Sequence, residues 1–189
     1  MKYYVEITLL HSPEIPIHFL WEKVYRQIHI GFAEIEKDGK IEVGVSFPEY
    51  EEKWLGNKLR IFANEREKLE DFNFKKLLAR LSDYIHLKSI KETPETNEYA
   101  IFKCQKIKPN NECLARRISK RKNVSYDDAL ESIKGRVVKK HSLPFINTQS
   151  ISSGSKFPLL IERLSSKEKT ESESFTSYGL SSISSVPIF

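Results

Sequence analysis

A chain of 189 residues, 39% hydrophobic and 11% aromatic, has ample material for a core and is too apolar to be disordered. Its net charge of +5 is unevenly spread: residues 1–98 hold 15 basic and 18 acidic side chains, Lys103–Lys122 eight basic against Glu112 alone, and residues 123–189 eight basic against seven acidic. So local an excess excludes a neutral surface over that segment and points to a polyanionic partner, nucleic acid being the commonest.

Cys104 and Cys113 form no CxxC pair, and no His/Cys spacing suits zinc. That excludes a disulfide scaffold and a zinc module and points to a reducing compartment. The start, MKYYVEITLL, is too short and mixed for a signal peptide, and no apolar run approaches the ~20 residues of a membrane span. A cytoplasmic protein with no membrane partner is expected.

In chain order, Tyr3–Leu10 alternates and reads as a strand broken by Pro13 and Pro16. Ile17, Trp21, Val24, Ile28 and Ile35 then form the seam of an amphipathic helix, Ile17 to Ile35, that Gly31 could kink or end. His29 falls ~120° from that seam, at the border of its buried and wet faces. KDGK at 37–40 is a turn, Ile41–Phe47 a strand stopped by Pro48, and Lys58–Ala63 a strand entered through Gly56-Asn57. Asn64 caps a helix to about Leu81, with Leu69, Leu77, Leu78 and Leu81 inward, and a strand follows over Ile85–Lys91. The order β-α-β-β-α-β predicts an α+β protein with an N-terminal ferredoxin-like (split βαβ) domain over 1–92. That fold assigns no function. The absence of an aromatic-rich RNP signature excludes an ordinary RNA-recognition sheet.

Residues 93–98 read as a linker, and 99–189 as a C-terminal α/β domain carrying an arginine-rich helix. Tyr99–Lys108 is a strand, and Pro109-Asn110-Asn111 ends it and caps a helix of about 111–122. Wound at ~100° per residue, Arg116, Arg117, Lys120 and Arg121 fall within an arc of roughly 140°, with Leu114 and Ile118 beside it. Four cations on one face suit a run of phosphates, although a charged helix face is more often merely solvated. Ser125 and Asp128 make a capping box for a second helix burying Tyr126, Ala129, Leu130 and Ile133 and stopping at Gly135. A DNA-reading helix-turn-helix would carry its contacts on the second helix, not the first, which makes a DNA regulator the weaker reading.

Serine supplies 14 of the 48 residues after His141, interleaved with strand-like runs at 144–149, 156–164, 175–178 and the apolar terminus 186–189. Residues 165–174 read as a mobile loop. If the partner is RNA, the simplest cleavage uses its own 2′-hydroxyl as nucleophile and needs a base near neutral pKa, in practice histidine. His11, His18, His29, His86 and His141 are candidates, and composition and spacing do not choose among them.

GVSFP (44–48), LGNKLRIFA (55–63), ARRISKRKNVS (115–125), LPF (143–145), QSISSG (149–154), Phe157 and TSYGLSS (176–182) resemble, in order and nearly end to end, the CRISPR repeat-processing endoribonuclease of type I-F systems, the Csy-type precursor-crRNA nuclease. The resemblance implies an enzyme that binds a CRISPR repeat hairpin and cuts at its 3′ base without metal or other cofactor. It implies that the product is retained, alongside other subunits of a type I-F crRNA surveillance complex. It assigns His29 as catalytic histidine, Ser150 as the serine holding the attacking ribose with Ser152 a close second, Tyr178 beside the histidine, and Phe157 stacked under the terminal base pair. Arg116, Arg117, Lys120 and Arg121 lie along the groove-binding helix. Lys103 and Gln105 fall where the family has an Arg-x-Gln base-reading pair, and lysine lacks arginine's two-pronged contact to guanine. Ala115, Lys120 and Ile188 replace arginine, arginine and an aromatic. The alternative is a non-catalytic subunit that only holds the hairpin.

Overall fold

The computed structural model describes residues 1–35, 40–106, 110–136, 142–150, 153–166, 168–170 and 173–189. Alternation decides how the first strand is used. β1 (Tyr3–Leu9) buries Val5, Ile7 and Leu9 on one side, leaving Tyr4, Glu6 and Thr8 on the other. It joins β2 (Gly44–Ser46), β3 (Lys58–Ala63) and β4 (Ile85–Leu87) in an antiparallel sheet ordered β2-β3-β1-β4, with the short β5 (Lys91–Glu92) also on β1. Val5 lies opposite Ile61 and Ile7 opposite Leu59, so one face is continuously apolar.

That face receives α1 (Ile17–Ile35), which buries Leu20, Trp21, Val24, Tyr25, Ile28, His29, Gly31 and Phe32. The expected seam holds at its centre but not at its ends. Ile17 is half-buried and Ile35 exposed, because the buried stripe is broad and swings toward Tyr25, His29 and Phe32. Gly31 does not end the helix; a Cβ there would lie 3.2 Å from Leu77 Cδ2, so glycine admits that side chain.

Two expected elements are corrected. The strand over 41–47 is pairing only at β2, with Ile41 in an isolated bridge to Phe175; residues 37–39 of the KDGK turn lie outside the described residues. The single helix expected over 64–81 is α2 (Arg66–Asp71), α3 (Phe74–Leu77) and a 3₁₀ turn over Ala79–Tyr84. Asn73 breaks it by entering the left-handed region (φ 40°), where its side chain accepts from Lys76 N–H and caps α3. Glu65, not Asn64, precedes α2, and Asn64 instead donates its amide to Glu173.

A second antiparallel sheet is built from β6 (Tyr99–Gln105), β7 (Phe145–Gln149), β8 (Lys156–Ser166) and β9 (Val186–Pro187), ordered β7-β8-β6-β9. The described part of the strand expected over 99–108 stops at Gln105, and residues 107–109 lie outside the described residues, as does His141. β8 runs through Ser166, so Ser165 and Ser166 of the expected loop pair with Ala100 and Tyr99. Residues 175–178 are a bridge and a turn, not a strand. α1 also packs on β7, and both sheets share a core in which Phe47 and Phe102 meet edge to face at 5.4 Å.

The chain divides into two compact units, Met1–Gln105 with Leu143–Phe189, and Lys106–Ser142. The second holds α4 (Asn111–Lys122) and α5 (Tyr126–Glu131). Among the described residues the protein is therefore mixed α/β, with two antiparallel sheets and five α-helices. Asn110 caps α4 by accepting from Cys113 N–H at 2.8 Å, and Ser125 caps α5 by accepting from Asp128 N–H at 3.0 Å. Of the four side chains expected to be buried by the second helix, Ala129 is buried, Ile133 half-buried, and Tyr126 and Leu130 exposed. Among the described residues, a six-residue helix packed on one neighbouring helix does not cover three large side chains; buried Ala115 and Ala129 let the pair approach closely.

On the other face of the first sheet, buried Glu6 takes Arg60 Nε at 2.7 Å and Lys88 Nζ at 2.6 Å. Arg60 also donates to the backbone oxygen of Phe189 and lies 4.1 Å from its ring, tying that residue to the sheet. Burial alone would push the Glu6 carboxyl up, but hydrogen bonds from Lys88 and Arg60 outweigh it and hold it below the ordinary range. A carboxylate depressed in the folded state stabilises above its unfolded pKa and loses that contribution as pH falls through the folded value. Glu6→Gln should therefore cost about 1.5–3 kcal/mol at pH 7. In urea unfolding the gap from the parent should be full above roughly pH 4.3 and shrink below it.

Candidate functional site

The turn over 176–180 is the centre of the site. Thr176 N–H donates to Leu180 O at 2.9 Å and Gly179 N–H to Thr176 O at 2.7 Å, while Val45 N–H of β2 donates to Gly179 O at 3.0 Å. Gly179 has φ +67°, and a Cβ there would meet Val45 Cγ1 at 2.5 Å, so both conformation and space require glycine. From the opposite side α1 grips the same turn. Tyr25 Oη donates to Tyr178 O at 2.7 Å, and His29 Nδ1 lies 2.8 Å from Ser177 O. Tyr25 and His29 are one helical turn apart, so two neighbouring side chains of one face hold two consecutive carbonyls. Burial, aided by nearby Cys104 and Tyr178, pushes the Tyr25 phenol well above its ordinary pKa, which keeps it a neutral O–H donor.

Tyr178 lies flat on the imidazole, with ring centroids 3.8 Å apart and planes at 12°. Phe157 of β8 meets Tyr178 edge-on at 6.4 Å and 82°. His29, expected at the border between buried and wet faces, is 5% exposed because the 176–180 turn covers it. A carbonyl can only accept, so the Ser177 contact requires a proton on His29 Nδ1. In the neutral ring the lone pair is then on Nε2, the form a proton acceptor needs.

Ser150 follows β7 directly and opens the turn into β8: its N–H donates to Ser155 O and its carbonyl accepts from Gly154 N–H, both at 2.9 Å, while Oγ accepts from Ser153 N–H at 3.2 Å. β7 is the strand that packs on α1. Ser152 lies outside the described residues.

Lys103 and Gln105 occupy the same face of β6, and both reach Glu162 of β8, Lys103 Nζ at 2.9 Å and Gln105 through its amide. In the other unit, α4 exposes Arg116, Arg117, Lys120 and Arg121 as its helical spacing predicts, with Leu114 and Ile118 half-buried about Ala115. Arg116 and Glu112 lie 3.6 Å apart, both about two-thirds exposed at 65% and 66%, an arrangement worth little in stability. Lys120, Arg121 and Lys122 crowd the last turn, where the helix dipole favours cations.

Thus His29, Tyr178 and Phe157 are brought together, and Lys103 and Gln105 are joined through Glu162. Sequence reasoning missed Tyr25, Ser177 and Glu162. Tyr25 was detectable, four residues before His29 on one helix; Ser177 acts through its backbone, and Glu162 needs the strand register. At pH 8.5, where a free imidazole is neutral, ¹⁵N NMR should show His29 protonated at Nδ1 and bare at Nε2. The reverse tautomer would mean that Ser177 does not accept from this ring.

Comparison with known proteins covers nearly the whole chain. The sequence model of the family described as CRISPR-associated protein (Cas_Csy4) matches residues 4–189. The chain is 31% identical over 196 residues to the CRISPR-associated endonuclease Cas6/Csy4 of Pseudomonas aeruginosa (strain UCBPP-PA14), covering all of both chains. It is 27% identical over 191 residues to the CRISPR-associated endonuclease Cas6/Csy4 of Escherichia coli (strain UTI89 / UPEC), again across the full length of each. A match that runs through the sheets, α4 and the histidine-bearing helix alike makes this chain a member of the CRISPR-associated Csy4 family.

Proposed function

We propose that this protein is the endoribonuclease that processes CRISPR repeat transcripts, cutting at the 3′ base of the repeat hairpin to release crRNA. Family membership over residues 4–189 and the endonuclease names of full-length relatives support the reaction class. The single observation that carries the mechanism is the His29 ring, fixed by Ser177 O and stacked on Tyr178.

His29 Nε2 takes the proton of the 2′-hydroxyl at the scissile nucleotide. O2′ attacks phosphorus, the P–O5′ bond breaks, and the leaving oxygen takes a proton to give a 5′-hydroxyl and a 2′,3′-cyclic phosphate. Ser150 holds the attacking ribose, with Ser152 the alternative for that role. Tyr178 keeps the imidazole in plane and stabilises it once charged. Phe157 stacks under the terminal base pair, a contact worth ~1–3 kcal/mol in nucleic-acid complexes. No step uses a metal. Arg116, Arg117, Lys120 and Arg121 hold the stem by its phosphates, and Lys103 and Gln105 read base edges.

The remaining assignments belong to the same reading. The order β2-β3-β1-β4 supports a ferredoxin-like arrangement of the β-α-β-β-α-β elements. Along the chain the first sheet ends before residues 93–98 and the second begins after them, the basis for a sequence division into 1–92 and 99–189 within the one compact unit in which both sheets share a core. The protein acts in the cytoplasm, where its transcript is made, and hands the crRNA to other subunits of a type I-F surveillance complex.

A repeat hairpin incubated with the protein in EDTA should be cut once, and both His29→Ala and a 2′-deoxy scissile nucleotide should lower the rate at least 100-fold. A requirement for Mg²⁺, or a cut that survives both changes, overturns the mechanism; tight binding with no cut under any condition favours a subunit that only retains the hairpin. Arg117→Glu or Arg121→Glu should weaken hairpin binding far more than Lys75→Glu and flatten the slope of log Kd against log salt. Equal effects would remove α4 from the interface.

A further inference from the structure

Lys103 and Gln105 are two residues apart on β6 and so share a face, and the antiparallel register sets Glu162 directly opposite Lys103. One oxygen, Glu162 Oε2, takes both the Lys103 ammonium at 2.9 Å and the Gln105 amide N–H. The Lys103 and Glu162 side chains are 26% and 29% exposed, open enough for a ligand and sheltered enough for the pair to be only partly screened by water. We infer that Glu162 is a specificity-determining residue: it cancels the Lys103 charge and aligns it with Gln105, so that the pair accepts a base edge in preference to a phosphate. The inference rests on the proposed assignment of Lys103 and Gln105 to RNA contact.

An isolated lysine is a compact point charge with three rotatable donors, and it binds any phosphate of any sequence. With a carboxylate at 2.9 Å the Lys103 charge is opposed at close range, and an incoming phosphate meets the repulsion of Glu162 as well as the attraction of Lys103. A guanine edge carries no net charge. Its N7 and O6 still accept from the ammonium hydrogens that Glu162 does not use. Gln105 likewise keeps a second amide hydrogen after donating one to Glu162. Two side chains pinned to one oxygen thus present donors at a set spacing, which arginine achieves alone through its rigid fork. Glu162 stands on the central β8, so the spacing is held by a strand and not by a loop.

The test uses the full-length protein and synthetic RNA hairpins of the repeat from the host's own CRISPR array, with each stem base pair substituted in turn. Glu162→Gln should bind the parent hairpin within about threefold of the unaltered protein, yet lose at least fivefold of its discrimination at one base pair. Its slope of log Kd against log salt should steepen by about one, as the released Lys103 takes a phosphate. Glu162→Asp retains the charge but not the reach, so it should lose discrimination with the slope unchanged. Parental slope and discrimination in both variants, while Lys103→Ala and Gln105→Ala still relax discrimination, would overturn the role of Glu162 and leave the assignment of the pair standing. No change in Lys103→Ala and Gln105→Ala would remove that assignment, and this inference with it.

Discussion

Two consecutive carbonyls, those of Ser177 and Tyr178, are gripped by two side chains one helical turn apart, and the geometry around His29 depends on that grip. The 176–180 segment has no regular strand to hold it. Ordering its five residues costs roughly 5–10 kcal/mol of backbone entropy. Its hydrogen bonds contribute about 0.5–1.5 kcal/mol each, and the His29–Tyr178 stack about as much again. Those terms alone fall short or barely suffice. Burial of Phe175 and Leu180 at the two ends, at roughly 1.5–3 kcal/mol each, tips the balance. The direction of the imidazole therefore rests on apolar packing several residues away. It rests in turn on α1 lying along a sheet whose alternation gives it one continuous apolar face.

What could be read from the sequence was whatever depends on local geometry alone. The faces of α4 follow from helical winding, and the caps at Asn110 and Ser125 from the chemistry of side chains that accept from N–H groups two or three residues on; all need no knowledge of the partner. The break at Asn73 is hidden because no Gly or Pro marks it, although buried Leu69 and Phe74 are five residues apart and would lie about 140° from each other on one continuous helix. The exposure of Tyr126 and Leu130 was hidden because burial depends on what lies opposite, and α4 offers too little surface.

The site divides along the same line. His29 lies on the helix that the periodicity predicts, but its cover comes from a turn almost 150 residues away, and no periodicity within α1 encodes that. Tyr25, outside the seam that the periodicity marks, is buried in the core; its hydroxyl acquires a purpose only when a carbonyl arrives within reach. Ser177 contributes a backbone oxygen that any residue would supply, so its side chain carries no signal. Gly179 is the exception, since a positive φ beside Val45 leaves room for glycine alone.

The cations proposed to meet RNA are held in two physically different ways. Along α4 they stand in water, with one weak, well-exposed partner for Arg116 and a helix dipole that favours the last three. Such charges attract phosphate over a Debye length of about 10 Å at 0.1 M salt and carry no sequence information. Lys103 is the opposite case, held on a strand and matched by a carboxylate, so that little of its field extends outward. A protein that must grip one hairpin among many transcripts gains from keeping these functions apart. Free charge speeds encounter and supplies affinity, but the more of it that surrounds a base-reading pair, the less a wrong base costs. On the proposed assignment of Lys103 and Gln105, neutralising that cation would keep the penalty for a mismatch from being lost in non-specific attraction, and a strand-borne carboxylate does this without adding a flexible element.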